Sequence, residues 1–175
     1  MKLNKHNLLY VEDLNHILSI KDIDKLQGKS FLITGATGMV GVMLIDALMR
    51  IHQVKVYAVG RNAEKAQARL GEYFSNPNFE FIEHDVCEPF TENISVDYII
   101  PMASNTHPLA YSKYPIETIL INVKGIENAL NLADRCHATV LYTSTNEVYG
   151  NARNEESFTE DYNGILNLSN SRSCY

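Results

Sequence analysis

Between Phe31 and Val59 the chain runs through a short apolar stretch, a glycine turn, a helical stretch and a second apolar stretch, with almost nothing between them. Phe31-Leu32-Ile33 is too short for a helix and apolar at every position, as in a strand buried on both faces. Gly35-Ala36-Thr37-Gly38 breaks it. Met39, Val40, Met43, Leu44, Ala47, Leu48 and Ile51 then recur at helical spacing, which predicts a helix over 39–51 buried on much of its circumference. Val54-Lys55-Val56-Tyr57-Ala58-Val59 is the second strand, ended by Gly60. Strands apolar throughout need cover on both faces, and a parallel sheet flanked by helices supplies it.

The alternation continues. Residues 62–74 read as a polar-faced helix, Phe79-Glu80-Phe81-Ile82 as the third strand and Val96-Asp97-Tyr98-Ile99-Ile100 as the fourth. Pro115 opens a helix to about residue 135 that carries Ile119, Leu120, Val123, Ile126 and Leu130 at helical spacing, and Pro suits a first helical turn. Thr139-Val140-Leu141-Tyr142-Thr143 is the fifth strand. Upstream, Leu14, Ile17 and Leu18 mark a short amphipathic helix within 8–20. The expected fold is α/β, a Rossmann-like doubly wound parallel sheet with helices on both faces, strand order 3-2-1-4-5, ending after the fifth strand. Residues 1–28 are expected to form an N-terminal helical extension and 29–175 the doubly wound domain.

Composition bounds the partners. At 175 residues the chain suits one domain, and 45% apolar with 21% charged residues is ordinary for a soluble globular protein. A net charge of −6 gains nothing from phosphate neutralisation, which argues against nucleic acid and anionic membranes as partners. Cys87, Cys136 and Cys174 are an odd number without metal-ligand spacing, so no metal site is expected and reduced thiols in a cytoplasmic protein are. Glu12 and Asp13 interrupt the apolar stretch nearest the start, against a signal peptide.

Between the first strand and the first helix, Gly35 permits a tight turn, Gly38 the close approach of a pyrophosphate, and Gly41 close helix–strand packing. The helix N-terminus offers unpaired N–H groups and the positive end of its dipole, so Thr37, Met39 and Val40 join the candidate cofactor residues. Gly28-Lys29-Ser30 imitates the end of a Walker A loop but precedes its strand, and position 23 is Ile rather than Gly. The end of the second strand, where an acidic residue ordinarily binds the ribose, holds Gly60-Arg61-Asn62. Arg61 pairs there with a 2′-phosphate, leaning the cofactor toward NADP, or is simply a solvated side chain at a helix start.

Four blocks then resemble the extended short-chain dehydrogenase/reductase family, the NAD-dependent sugar-nucleotide epimerases and dehydratases. They are Gly35, Gly38 and Gly41; His84-Asp85-Val86 after the third strand; Pro101-Met102-Ala103-Ser104 after the fourth; and Ser144-Thr145-Asn146-Glu147-Val148-Tyr149-Gly150 after the fifth. With Asn122-Val123-Lys124-Gly125 in the long helix, the resemblance spans about 29–175. It implies that Asp85 accepts from the adenine amino group, with Val86, Ser104 and Asn122 in the same set. Met102, Ala103 and Thr143 would line the cofactor, and Thr106 would face the substrate.

The resemblance also assigns chemistry. Thr145 would hydrogen-bond a sugar 4-hydroxyl, Glu147 would be an acid/base beside it, and Tyr175 would be the base that removes the 4-hydroxyl proton while hydride leaves C4 for the nicotinamide. Pro101 stands where the family usually has His, and Asn146 where the 4,6-dehydratases have an acid. An amide is a poor proton donor, so the block looks more like that of the UDP-glucuronate decarboxylases. Ser171-Arg172-Ser173-Cys174-Tyr175 resembles the run into the family's Tyr-x-x-x-Lys, whose Lys lies beyond the sequence. This implies the N-terminal part of a longer enzyme, catalytically silent by itself. The family's dimer face corresponds to the 115–135 helix, whose apolar residues the sheet could equally cover. Two functions stand against each other: a nucleotide-sugar-modifying enzyme, with Thr145 and Glu147 as its signature, and a non-catalytic dinucleotide-binding module, in which that pair only caps a turn.

Overall fold

A computed structural model describes residues 5–150, 157–169 and 171–174. Five strands, β1 (Ser30–Thr34), β2 (Lys55–Gly60), β3 (Phe79–Glu83), β4 (Tyr98–Ile100) and β5 (Thr139–Val140), form one sheet in the order β3-β2-β1-β4-β5. Every pairing is parallel. The helices are α1 (Leu8–Leu18), α2 (Met39–Leu48), α3 (Ala63–Leu70), α4 (Pro108–Lys113) and α5 (Pro115–Cys136).

Strand alternation divides the core. Phe31, Ile33, Val56 and Ala58 pack with Val42, Ile45 and Leu48 of α2 and Leu70 of α3. Leu32, Tyr57, Val59 and Ile99 point the other way, onto Ala129, Leu132 and Ala133 of α5. The chain leaves β1 to pair on one side with β2 and later on the other with β4, so the order reverses between β1 and β4. A crevice opens at the carboxyl ends of these two strands, the place where doubly wound sheets bind ligands.

The structure adjusts four sequence readings. α2 ends at Leu48 rather than at 51, because Arg50 and Ile51 donate to carbonyls three residues back, a tightened turn that releases the chain into β2. α3 likewise ends at Leu70 and passes into a 3-10 turn over Gly71–Tyr73. β5 is only two residues long: its single strand partner among the described residues is β4, and the last bond of the ladder runs from Leu141 N–H to the Ile99 carbonyl. α4 is too short for periodicity to reveal, although Pro108 at its start and the His107 ring accepting from Leu109 N–H mark its first turn.

In α5 most of the predicted apolar stripe faces outward, with Ile126 half-buried. Thr118, Ile121, Gly125, Asn128, Ala129, Leu132 and Ala133 are buried, whereas Ile119, Leu120, Val123 and Leu130 are exposed. The sheet therefore does not cover the stripe.

The Walker-like residues have a structural task. Asp97, entering β4, accepts from Ser30 N–H (2.8 Å), Ser30 Oγ (2.7 Å) and Lys29 Nζ (3.2 Å). The Ser30 bonds, aided by Lys29, hold the Asp97 carboxyl below its usual range.

α1 is packed onto α2. Leu14 is fully buried, and the buried carboxylate of Asp46 on α2 accepts from Lys5 Nζ (2.6 Å), Tyr73 Oη (2.9 Å) and Tyr10 Oη. Burial first, reinforced by Asp46, raises the pKa of both phenols well above the ordinary tyrosine range. Unfolded tyrosines ionise near pH 10 while these two stay protonated in the folded state, so the unfolded state loses protons first. Stability is then fully present below about pH 10 and falls above it, by about 1.4 kcal/mol per pH unit for each tyrosine. Urea midpoints measured from pH 8 to 11 should stay level and then drop, and Tyr73→Phe should flatten the drop.

Candidate active site

The loop from β1 to α2 forms the floor of the crevice. Gly35 has φ +65°, and a Cβ there would lie 2.8 Å from the Met102 carbonyl oxygen and 2.9 Å from the Ala103 nitrogen. Only glycine meets both demands, a left-handed backbone and direct contact with the β4 end. A Cβ on Gly41 would lie 2.7 Å from the Gly35 carbonyl oxygen and 2.9 Å from that of Ala36, so its packing role is against the loop backbone. Thr34, the polar end of an apolar strand, ties the two walls together: its Oγ1 accepts from Met102 N–H (3.0 Å) and Ala103 N–H (3.1 Å). Gly38 caps α2 with extended backbone and no side-chain hydrogen bond, so no side chain of the cap competes for the first N–H groups.

Above this floor lies a cavity of about 500 Å³. Gly35, Thr37, Gly38, Met39, Val40, Gly41, Arg61, Asn62, Asp85, Val86, Met102, Ala103, Ser104 and Thr106 all line it. Asn122 and Thr143 instead line a neighbouring cavity of about 230 Å³, together with Ser144 and Thr145. The two share Val40, Val86, Met102, Ala103, Ser104 and Ile121, so they adjoin along a common wall. Ser104 Oγ donates to Asn122 Oδ1 (2.7 Å), and Thr143 Oγ1 donates to the Pro101 carbonyl (2.8 Å).

Thr145 begins a 3-10 turn over Asn146–Tyr149, and its Oγ1 accepts from Glu147 N–H at 3.3 Å. The turn-capping role is thus real, and it leaves the hydroxyl proton available to a ligand. Glu147 is half-buried and lines neither cavity. Tyr175 lies outside the described residues.

Arg61 is not solitary: its Nη1 lies 3.7 Å from Asp85 Oδ2, both side chains being largely exposed. Asp85 Oδ1 also accepts from Cys87 N–H (3.0 Å). Burial, then the Asp85 charge, pushes the Cys87 thiol up, so it stays protonated at neutral pH. Asn62 Oδ1 accepts from Lys65 N–H (2.6 Å), capping α3. Lys65, His84 and Asn105 also line the larger cavity. Sequence reasoning missed them, although Lys65 is three residues past the cap and His84 stands beside Asp85. Arg69 Nη1 donates to the Thr37 carbonyl at 2.8 Å, and no local motif announces that contact.

A parallel sheet that reverses its order over a glycine turn and an uncapped helix end defines a dinucleotide-binding doubly wound domain. The chain belongs to the NAD dependent epimerase/dehydratase family, whose sequence model matches residues 31–175. It is 38% identical over 144 residues to UDP-glucuronic acid decarboxylase 6 of Arabidopsis thaliana, covering 82% of this chain and 41% of that protein. A UDP-N-acetylglucosamine 4-epimerase from Methanobrevibacter ruminantium has a similar fold, with a TM-score of 0.67 at 19% identity, over 85% of this chain and 47% of the other. So does a dTDP-glucose 4,6-dehydratase from Streptomyces venezuelae solved with NAD, with a TM-score of 0.66 at 22% identity, over 82% and 48%. The chain spans less than half of each of these three proteins. No helix among the described residues is long and apolar enough to cross a membrane.

Proposed function

We propose that the chain is the dinucleotide-binding part of an enzyme that modifies a nucleotide sugar by transient oxidation at C4, with UDP-glucuronate decarboxylation as its particular reaction. The observation that carries this reading is that the glycine-loop cavity adjoins the one lined by Thr145, six residues lining both. The loop suits the cofactor: Gly35 and Gly41 leave no room for side chains, and α2 presents its N-terminus without a side-chain cap. When bound, the nicotinamide supplies the hydride acceptor at C4. Met39 and Val40 would hold the pyrophosphate through backbone N–H groups, with Gly38 leaving room for its approach, and Asp85 would take the adenine amino group. Thr145 donates its hydroxyl proton to the sugar 4-oxygen and so orients it, Thr106 faces the sugar, and Tyr175 accepts the 4-hydroxyl proton. Glu147, two residues after Thr145 in the same turn, would act as acid/base. Asn146 has no proton to give at neutral pH, which supports decarboxylation or epimerisation over 4,6-dehydration.

The test is to incubate the full natural protein with NAD and, separately, UDP-glucuronate, UDP-glucose and dTDP-glucose, following products by mass. A UDP-pentose formed with loss of carbon dioxide is expected. A 4-keto-6-deoxy product would overturn the reading of Asn146. NADH binding without any turnover would favour the non-catalytic module.

For the cofactor we favour NADP modestly, through Arg61 at the end of β2. Asp85 competes for the same guanidinium, so the preference is small. Arg61→Ala should weaken NADP binding by about tenfold or more, the range of one charge-assisted hydrogen bond, and leave NAD nearly unchanged. Isothermal titration with both cofactors checks this, and equal losses would reduce Arg61 to a solvated side chain.

We also assign the exposed α5 stripe to a second copy of the chain. Ile119, Leu120 and Val123 are 45%, 45% and 56% exposed, an apolar surface that water disfavours. Sedimentation should give a dimer, and Leu120→Glu with Val123→Lys should give a folded monomer. The reduced thiols of Cys87 and Cys136 support a cytoplasmic setting.

A further inference from the structure

Arg69 occupies the last turn of α3, among residues that read from sequence as a polar helix surface. The geometry points to Arg69 as a positioning residue for the glycine loop, holding the Thr37–Gly38 peptide so that the N–H groups at the start of α2 face the pyrophosphate. This rests on the dinucleotide reading above.

The loop is held by few bonds, and Arg69 supplies one from outside it. Its Nη1 donates to the Thr37 carbonyl at 2.8 Å. The N–H of the same peptide, on Gly38, donates to the Gly35 carbonyl, also at 2.8 Å. Both ends of one peptide dipole are therefore fixed, one by the loop itself and one by α3. Rotation of that peptide would swing the Gly38 backbone, and with it the N–H groups that follow. A loop preset in this way does not spend binding energy on ordering itself around the ligand.

Charge gives a second, independent reason. Arg69 is half-buried, and among the described residues it forms no ion pair, whereas Arg61 at the end of β2 has Asp85. A guanidinium whose partner is a carbonyl keeps its full positive charge. Set behind the α2 N-terminus, that charge adds to the helix dipole and favours an anion in the loop. Arg69 acts through the Thr37 carbonyl, not by touching the cofactor.

The experiment compares wild type, Arg69→Met and Arg69→Lys. NADH affinity is read by fluorescence titration, melting temperature by circular dichroism, and amide hydrogen exchange over residues 34–42 without ligand. Met keeps the apolar stem and removes the donor and the charge, and Lys restores both. Arg69→Met is expected to bind NADH about tenfold more weakly, in the range of a charge-assisted hydrogen bond, with faster exchange confined to the loop. Arg69→Lys should recover most of the affinity. Wild-type affinity in Arg69→Met overturns the inference. So does a loss that comes with a lower melting temperature, faster exchange across the sheet and no rescue by Lys, which would make Arg69 a staple for α3. A wild-type protein that binds neither NADH nor NADPH overturns the dinucleotide reading and this inference with it, whereas wild-type binding beside an unaffected Arg69→Met overturns this inference alone.

Discussion

Gly38→Leu is expected to abolish NADH binding, a loss of about a hundredfold or more, or roughly 2.7 kcal/mol, in a protein that still folds. Gly38 has extended backbone that any residue adopts (φ −72°, ψ 171°). A Cβ there would meet only the Gly35 carbonyl oxygen, at 3.0 Å, so the loop backbone must give by a few tenths of an ångström. The rest of a leucine side chain would enter the cavity that Gly38 lines and occupy the space through which a phosphate approaches the backbone. Gly41→Leu provides the contrast: its Cβ would overlap the Gly35 and Ala36 carbonyl oxygens, so that variant should fail by misfolding. Fluorescence titration beside thermal melts separates the two. Undiminished NADH affinity in a folded Gly38→Leu protein would show that the dinucleotide does not pass over this loop.

The second large effect lies away from the crevice. Asp46→Ala should destabilise the fold by about 3 kcal/mol, the lower end of what removing one partner of a buried ion pair costs. The loss leaves the hydroxyls of Tyr10 and Tyr73 without their acceptor inside the packed seam between α1, α2 and the turn after α3. Lys5 offsets part of the cost by keeping Glu72, its other carboxylate partner. For a chain of this size that is a fall in melting temperature of about 6–12 °C. Asp46→Asn keeps an acceptor of the same shape and should lose much less. A melting temperature for Asp46→Ala within about 2 °C of wild type would mean that water or a shifted α1 replaces the carboxylate.

Much of this fold was legible from residue order. Phe31–Ile33, Val54–Val59 and Phe79–Ile82 are short, largely apolar runs rich in β-branched and aromatic residues, and each falls on an observed strand. The alternation of strand and helix pointed to a doubly wound sheet, whose usual order 3-2-1-4-5 is the one observed. The glycine loop was legible for a similar reason. Gly35 must take a positive φ and touch the end of β4, and both requirements exclude every other residue type. Periodicity left open whether the sheet covers the apolar stripe of α5, and non-local packing decides that it does not. Ile119, Leu120, Val123 and Leu130 form a proper helical stripe, yet α5 turns Thr118, Ile121, Gly125 and Asn128 inward.

The inward face of α5 is set by contacts that periodicity does not encode. A Cβ on Gly125 would meet Val86 at 3.3 Å, and Asn128 Nδ2 donates to the Val86 carbonyl at 2.9 Å. Sequence by itself determined the features that depend on one residue and its near neighbours: strand burial, helix starts, and the turn that only Gly35 can make. Tertiary structure alone decided the features made by residues distant along the chain. These include the Asp46 cluster drawn from α1, α2 and the turn after α3, the Arg61–Asp85 pair, and the Arg69 bond to Thr37. A backbone preference is a property of a residue type and can be read from its letter. A hydrogen bond between Arg69 and Thr37 exists only once the sheet has brought the end of α3 beside the start of α2, and no interval along the chain records that approach.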